Sequence, residues 1–196
     1  AEMFAGGVRP LFIPDDAEVL DVTYGLGVFW NDWRPPLLRA HDLNPAKAPD
    51  GPMDFTALAY RDESFDVVVL DPDYKLNGTP TDDDRYGADE RLLLRQRHGK
   101  MLDGFHEATR VTRRGGYVMV KCMAQIAGGT LHPQDAMVWM ESLDMDLKLR
   151  ARYSLVTRPR PQPKVNPDGS PRPQVTPRNN QSTLLVFQKV KRRRAK

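Results

Sequence analysis

Short apolar runs that end abruptly at acids or polar residues recur along the first two thirds of the chain. Such short runs predict strands, and those richest in β-branched residues predict strands buried in a sheet. The runs are Glu18–Thr23, Leu37–Asp42, Phe65–Leu70 and Tyr117–Met123. Met53–Phe55, between the second and third runs, predicts a further unit of the same series. The pair Pro35 and Pro36 predicts that the helix between the first two strands is short or distorted.

Helical spacing of apolar residues appears in the second half of the chain. Residues Glu90 to Val111 predict one long helix that could be interrupted near Gly99, and Gly115-Gly116 predicts the turn into the next strand. Pro133 to Leu143 predicts a second helix with proline at an early position. Leu147–Val156 and Thr183–Phe187 predict two final strands that pair antiparallel. This alternation predicts an α/β fold with a mostly parallel sheet covered on both faces.

Two polar segments interrupt this pattern. Residues Lys75 to Asp89 predict a long loop, of a length that in compact domains is usually functional or disordered. Residues Arg158 to Asn180, rich in proline, arginine, asparagine and glutamine, predict an extended loop or flap. The whole chain of 196 residues predicts a single domain, over 1–196, that ends in a basic tail, 189–196.

Charge and composition narrow the class of protein. The chain has no apolar run of about 18 residues that could span a membrane and opens with no signal segment, so we expect a soluble, cytoplasmic protein. The single Cys122 excludes an internal disulfide framework. The net charge is only +3, but basic residues concentrate in the C-terminal half and acids before residue 90. This asymmetry favours a nucleic acid as partner, although a solvated tail explains the last six residues equally well.

Acids and glycines stand where the predicted strands end. Gly25 and Gly27 follow Asp21 and Thr23, and such a glycine turn lets a ligand approach the backbone. It is not the dinucleotide fingerprint, because Trp30 replaces the third glycine, and a tight strand-to-helix turn is the alternative interpretation.

Two further acids follow along the chain. Asp42 lies about 20 residues after the glycine turn and could accept both hydroxyls of a ribose, or cap a helix. Asp54 could accept a hydrogen bond from an exocyclic amine, while Phe55 could cover an adenine ring or belong to the core.

The most specific motif is Asp71-Pro72-Asp73-Tyr74, directly after the buried run that ends at Leu70. The Asp71 side chain and the Pro72 carbonyl could both accept hydrogen bonds from an –NH2 group, while Tyr74 stacks on the heterocycle. Such an arrangement would orient an amine lone pair toward an electrophile. The alternative interpretation is a strand terminator with a capping acid.

The chain resembles the class I S-adenosylmethionine-dependent methyltransferases over about residues 10 to 190, and within them the DNA amino methyltransferases that modify adenine N6 or cytosine N4. Asp71-Pro72-Asp73-Tyr74 matches that family's motif Asp/Asn/Ser-Pro-Pro-Tyr/Phe/Trp, with Asp73 in place of the second proline. The resemblance implies a Rossmann-like, mostly parallel seven-stranded sheet with an antiparallel C-terminal strand, and S-adenosylmethionine as cofactor.

The resemblance also implies roles for individual residues. Asp21, Thr23, Gly25 and Gly27 would form the turn under the methionine moiety, Asp42 would hold the ribose, and Asp54 and Phe55 would border the adenine. Asp71, Pro72 and Tyr74 would hold the target amine. In the loop that follows, Lys75, Arg85 and Tyr86 are candidates for contacts with the nucleotide, and a solvated loop is an equally good interpretation.

Other functions remain open at this point. Methylation of RNA, of a protein amide or of a small molecule uses the same Asp-Pro-x-Tyr logic, and a non-catalytic nucleic-acid-binding module could keep the same fold. The histidines and Cys122 lack zinc spacing, and Asp82-Asp83-Asp84 lacks the spacing and glycine of a calcium loop, so we predict no metal site. The sequence does not determine the oligomeric state.

Overall fold

The structure is a computed structural model that describes residues 7–72, 94–127, 129–156, 166, 168–170 and 181–190. Its strands are β1 (Glu18–Asp21), β2 (Leu37–Ala40), β3 (Phe65–Leu70), β4 (Thr112–Met123), β5 (Gln125–Ala127), β6 (Thr130–His132), β7 (Leu147–Val156) and β8 (Gln181–Lys189). Its helices are α1 (Arg9–Phe12), α2 (Leu94–Val111) and α3 (Gln134–Ser142).

Six of the described strands form the central sheet, in the order β2-β1-β3-β4-β8-β7. Strands β1 to β4 pair in parallel, and β8 runs antiparallel to both of its neighbours, β4 and β7. The predicted fold class is therefore confirmed, including the antiparallel C-terminal strand.

The predicted seventh strand is absent from the residues that the structure describes. Beyond β2 there is only an isolated parallel bridge between Asp42 and Pro52, and the predicted unit Met53–Phe55 is not a strand. Pro52 has no N–H to donate to a ladder. Two residues later, Asp54 accepts hydrogen bonds from the backbone N–H and the hydroxyl of Thr56, which bends the chain into a turn.

The sheet separates two apolar clusters. On one face, α2 and α3 cover a core that includes Phe105 and Phe187, whose ring centroids are 5.2 Å apart. On the other face, the cluster around Val19 and Val67 is covered by the N-terminal segment with α1 and by the 3₁₀ turn Val28–Trp30. This short turn confirms the prediction of a distorted element before Pro35-Pro36.

Helix α2 continues through Gly99 without a break, and its C-terminal end is closed by a lysine from β8. Lys189 Nζ donates hydrogen bonds to the carbonyl oxygens of Thr109, Arg110 and Thr112 at 2.8, 3.2 and 2.8 Å. Lys189 is only 7% exposed, and this burial lowers the pKa of its ammonium. The prediction that the basic tail starts at Lys189 is therefore wrong, because strand β8 turns this side chain inward to the negative end of a helix. Residues 191–196 lie outside the described residues.

Strand β4 begins at Thr112, five residues earlier than the apolar run predicted. The register against β3 shifts between Phe65 and Val67, so the glycine pair Gly115-Gly116 lies in an irregular part of the strand instead of a separate turn. A Cβ on Gly116 would lie 2.4 Å from the carbonyl oxygen of Asp66, so only glycine fits this close approach. The hairpin of β5 and β6 was not predicted.

The carboxyl ends of the parallel strands mark one edge of the sheet. Because β7 runs parallel to β4, its last residue, Val156, lies at this edge, and it pairs with Gln181 at the start of β8. The chain between these two residues therefore leaves from the carboxyl edge and returns to it. Within the described ranges, no helix combines the length and apolar composition that crossing a membrane would require.

Candidate active site

Three carboxylates meet at the carboxyl edge, each following a different strand. Asp21 ends β1, Asp42 follows β2, and Asp71 follows β3. Hydrogen bonds join the segments that carry these acids. Asp71 N donates to Thr23 Oγ1 at 2.7 Å, and Gly25 N donates to Asp42 Oδ2 at 2.9 Å. The structure thus brings together the glycine turn, the predicted ribose acid and the first residue of the Asp-Pro-x-Tyr motif.

The glycine turn requires its glycines. Gly25 and Gly27 have φ values of 56° and 68°, in the left-handed region that favours glycine. A Cβ on Gly27 would lie 2.5 Å from the hydroxyl oxygen of Tyr24, whose ring crosses the turn, whereas a Cβ on Gly25 would meet nothing closer than 3.9 Å. Gly25 therefore leaves the backbone of the turn open to a ligand, and Gly27 makes room for Tyr24.

The buried carboxylate of Asp21 holds this turn through two hydrogen bonds. Its Oδ1 accepts a hydrogen bond from Thr23 N at 2.9 Å and its Oδ2 accepts one from Trp30 Nε1 at 2.7 Å. The side chain is 2% exposed. Burial raises the pKa of Asp21 to about 7 despite these two hydrogen bonds, and the charges of Asp71 and Asp42 raise it further. Trp30, which replaces a fingerprint glycine, thus has a structural role that the sequence alone did not reveal.

The carboxylates of Asp42 and Asp54 keep acceptor positions that no described residue uses. Asp42 accepts one backbone N–H on each oxygen, from Gly25 and Asn44, and a carboxylate offers about four lone-pair positions. Asp54 accepts both of its hydrogen bonds, from Thr56, on Oδ1. Burial acts against ionisation of Asp54, but the hydrogen bonds from Thr56 outweigh it and lower the pKa of this carboxyl. Both side chains could accept further hydrogen bonds from a ligand.

Phe55 is held in place by helix α2. A Cβ on Gly104 would lie 2.3 Å from Phe55 Cδ2, so the ring lies directly on the backbone of the helix. The Nζ of Lys100 lies 5.3 Å from the centre of the Phe55 ring. Phe55 is thus half-buried and packed against the core, which fits the core interpretation and leaves part of the ring accessible.

The loop that carries Asp54 and Phe55 is fixed by a histidine that the sequence analysis did not single out. His41 Nδ1 lies 2.7 Å from the carbonyl oxygen of Gly51, and His41 Nε2 lies 2.6 Å from the hydroxyl of Tyr60. Since a carbonyl only accepts, Nδ1 carries the proton and Nε2 accepts from Tyr60. Met53 N also donates to the carbonyl oxygen of Asp42 at 3.0 Å. These bonds keep the loop beside the end of β2.

Asp71 forms an ion pair that the sequence analysis also missed. Lys121 Nζ, from β4, lies 2.6 Å from Asp71 Oδ2, and the two side chains are 25% and 22% exposed. Burial raises the pKa of Asp71, whereas the charge and hydrogen bond of Lys121 lower it. The signal in the sequence was a charged residue inside the otherwise apolar run Tyr117–Met123.

Part of the predicted site lies outside the described residues. Pro72 is described and buried, but Asp73, Tyr74, Lys75, Arg85 and Tyr86 are not described. Their predicted roles therefore stay predictions, as does the prediction that no metal is bound. Among the described residues, no group of three or more His, Cys, Asp or Glu side chains is arranged to hold a metal ion.

No protein-family model matches this chain, and no curated protein matches it. Solved structures with a similar fold do match the chain. The chain is similar to a methyltransferase candidate from Haloferax volcanii, solved with a methyltransferase activator (TM-score 0.60, 14% identity, covering 99% of this chain and 91% of that one). It is also similar to a SAM-dependent methyltransferase from Methanosarcina mazei (TM-score 0.53, 12% identity, 94% and 97% covered).

The same fold also serves other chemistry. The cyclase SpnF is similar to this chain as well, with a TM-score of 0.55 and 11% identity over 93% of this chain and 79% of that one. At these identities the likeness shows the fold and not the reaction. The chain has the Rossmann-like fold of the class I S-adenosylmethionine-dependent methyltransferases, with six sheet strands among the described residues.

Proposed function

We propose that this protein is an S-adenosylmethionine-dependent methyltransferase that acts on an exocyclic amine of a DNA base, adenine N6 or cytosine N4. The observation that carries the proposal is the position of Asp71. It follows β3 at the carboxyl edge, is joined to the glycine turn through Thr23, and starts the Asp-Pro-x-Tyr motif. Among the described residues, its Oδ1 has no hydrogen-bond partner and is available to accept from an amine.

The residues at the carboxyl edge fit the proposed cofactor. Gly25 leaves the turn open to a ligand, Asp42 keeps acceptor positions for ribose hydroxyls, and Asp54 Oδ2 has no partner among the described residues. The edge is rich in carboxylates, which favours a ligand with positive charge. The Methanosarcina mazei protein of similar fold is a SAM-dependent methyltransferase by name, which adds support by analogy of fold.

The chemistry needs positioning more than proton transfer. When bound, this cofactor supplies a methyl group on a sulfonium, whose C–S electrons leave with sulfur as the amine lone pair forms the new bond and the amine then releases one proton to water. Asp71 would accept a hydrogen bond from the amine and favour the pyramidal nitrogen whose lone pair is available. Orientation of this kind accounts for a large part of catalysis in group transfer.

Nucleic acid as the substrate is supported by where the basic sequence attaches. The chain between Val156 and Gln181 leaves from the carboxyl edge and returns to it, and residues 157–180 contain five basic residues and one acid. Basic residues in a segment whose two ends lie at this edge favour a polyphosphate partner. A base in a duplex would have to be flipped out before it could reach Asp71.

Cofactor binding is the first test. We expect calorimetry to detect S-adenosylmethionine binding, and Gly25→Val to abolish it, because Gly25 has φ 56°. Asp71→Ala should remove methyl transfer while changing the cofactor Kd less than about twofold. Asp66→Ala is the matched control, since Asp66 lies on the same strand but is paired with Arg113. The proposal fails if the wild-type protein does not bind the cofactor, or if Asp71→Ala weakens binding as much as Gly25→Val does.

The substrate class is tested separately. Labelled methyl transfer should be measured in parallel on DNA, RNA, total protein and small-molecule amines, followed by digestion to identify the methylated group. We expect label on N6-methyladenine or N4-methylcytosine from DNA. Label on RNA, on a protein amide or on a small molecule would contradict the DNA proposal and keep the methyltransferase proposal.

A further inference from the structure

Lys121 is a charged residue near the end of β4. In the parallel pairing of β3 with β4, Leu70 lies opposite Val120, so the next residues along the strands, Asp71 and Lys121, are neighbours at the carboxyl edge. Lys121 Nζ lies 2.6 Å from Asp71 Oδ2. The residues on either side, Val120 and Cys122, are fully buried. A lysine in this position costs desolvation free energy, and the contact with Asp71 compensates it.

We propose that Lys121 is a positioning residue of this site, which keeps Asp71 ionised and commits its Oδ2, so that Oδ1 is presented to the target amine. The inference deepens the proposed function and rests on it. A carboxylate only accepts hydrogen bonds, whereas a protonated carboxyl also donates one. An amine that must keep its lone pair free for the methyl group needs an acceptor, and Lys121 ensures that Asp71 is one.

The surroundings of Asp71 explain why a cation is required. Asp21, from β1, is a charged neighbour within the described part of the chain: its carboxylate and that of Asp71 repel each other, and Asp21 also faces Asp42, from the loop after β2. The Cys122 thiol of β4 stays neutral because burial raises its pKa to about 12. The acid of α3, Asp135, is itself paired with Arg152 at 2.7 Å. Lys121 is thus the group that offsets the burial of Asp71.

The variant Lys121→Met keeps the length of the side chain and removes the charge. We expect kcat/KM to fall at least tenfold at pH 7 and to recover as the pH rises, because Asp71 then ionises without its partner. The acid limb of the pH profile should shift to higher pH, and the cofactor Kd should change less than about twofold. Lys121→Arg should restore most of the activity. The matched control is Lys148→Met, an exposed lysine near the start of β7 at the opposite edge, which should leave the profile unchanged.

A double-mutant cycle separates this role from direct contact with the substrate. In an Asp71→Asn background there is no carboxylate to ionise, so Lys121→Met should change kcat/KM less than about twofold and shift no limb of the profile. An equal loss in both backgrounds would mean that Lys121 contacts the substrate itself, and would overturn the inference. An unshifted acid limb in the single variant would overturn it as well.

The titration of Asp71 can also be followed without any activity. Carbon-13 NMR of the aspartate carboxyls, assigned with Asp71→Asn, should show a higher titration midpoint for Asp71 in Lys121→Met than in the wild-type protein. If wild-type protein transfers no methyl group but this midpoint rises, the proposed function fails and the control of Asp71 by Lys121 stands. If the midpoint does not rise, the inference fails whatever the activity.

Discussion

The two edges of the sheet differ in how their acids are paired with cations. At the amino edge, each of four acids contacts an arginine: Arg113 is paired with Glu18 and with Asp66, and Arg114 is paired with Glu63 and Asp146 at 3.1 and 3.0 Å. At the carboxyl edge, Asp71 is paired with Lys121, whereas Asp21 and Asp42 have no ion pair among the described residues. The difference lies in pairing: the acids named at the amino edge all have a cationic partner, whereas two of the three at the carboxyl edge have none in the described part of the chain.

The pKa directions follow from this difference. Hydrogen bonds to Glu18 and Asp66 raise the pKa of Arg113, so its charged form is favoured. Burial raises the pKa of Asp21 and of Asp71, so their charged forms are disfavoured. Pairs of the first kind contribute modestly to stability, and perturbed acids of the second kind are typical of functional sites. The paired edge therefore contributes to the stability of the fold, whereas the edge with perturbed acids is the candidate functional site.

The largest expected effect on stability comes from adding one methyl group at the amino edge. In Gly116→Ala the new Cβ would lie 2.4 Å from a backbone oxygen, so the free energy of unfolding should fall by about 2–3 kcal/mol. Cofactor affinity of the folded protein should stay within about twofold. Gly99→Ala, in helix α2 with nothing within 4 Å, is the matched control and should stabilise by about 0.5–1 kcal/mol. Urea denaturation and calorimetry provide both readouts, and a loss of affinity in Gly116→Ala would break the distinction between the edges.

The same methyl group at the carboxyl edge should affect binding first. In Gly27→Ala the Cβ would displace the Tyr24 ring and impose a left-handed alanine, so we expect cofactor affinity to fall at least tenfold, with a loss of stability of about 1–2 kcal/mol. Gly129→Ala, at a φ of 77° with nothing within 4 Å, tests the backbone strain without the displaced ring. If both variants lose affinity equally, the position of Tyr24 is not what matters.

The smallest expected effect is the release of a fraction of a proton when the cofactor binds. With a pKa of about 7, Asp21 is partly protonated near neutral pH, and a cation bound beside it favours the ionised form. Cofactor binding at pH 7 should therefore release up to about half a proton, and none at pH 9. The release is measured from the dependence of the calorimetric enthalpy on the ionisation enthalpy of the buffer.

Two variants assign the released proton, and the pKa of Asp21 also sets how stability changes with pH. Asp21→Asn should abolish the release, and Trp30→Phe should increase it, because it removes a hydrogen bond that lowers the pKa of Asp21. The folded protein keeps this proton to higher pH than the unfolded chain does. The contribution of Asp21 to the free energy of unfolding is therefore fully present below about pH 4 and is lost as the pH rises to about 7. A release that persists in Asp21→Asn would assign the proton to another group.

Much of the site was predictable because its signals are local. A β-rich run followed by an acid predicts a strand end, and the carboxyl ends of parallel strands meet at one edge. This reasoning placed Asp21, Asp42 and Asp71 correctly at ends of strands β1 to β3. It could not find Lys121 or His41, since each acts on a residue that is distant in the sequence.

Errors in the fold have the same origin. Met53–Phe55 has the composition of a strand, but Pro52 and the bond from Thr56 to Asp54 turn the chain away from the sheet. Lys189 has the composition of a tail, but it is buried at the end of a helix that finishes almost 80 residues earlier, at Val111. Local pattern contains no information on which partner will lie across from a side chain.

Sequence pattern alone was enough to predict the α/β class, the parallel core strands, the glycine turn and the acids at the strand ends, because hydrophobic period and backbone preference are properties of neighbouring residues. The tertiary structure then fixed which of these acids is paired, which is buried and which has an oxygen without a described hydrogen-bond partner. It did so by bringing Lys121 to Asp71 and Trp30 to Asp21, and by leaving Asp42 and Asp54 with acceptor positions to spare. Burial and pairing set the charge of a carboxyl, and both depend on contacts that only the folded chain creates.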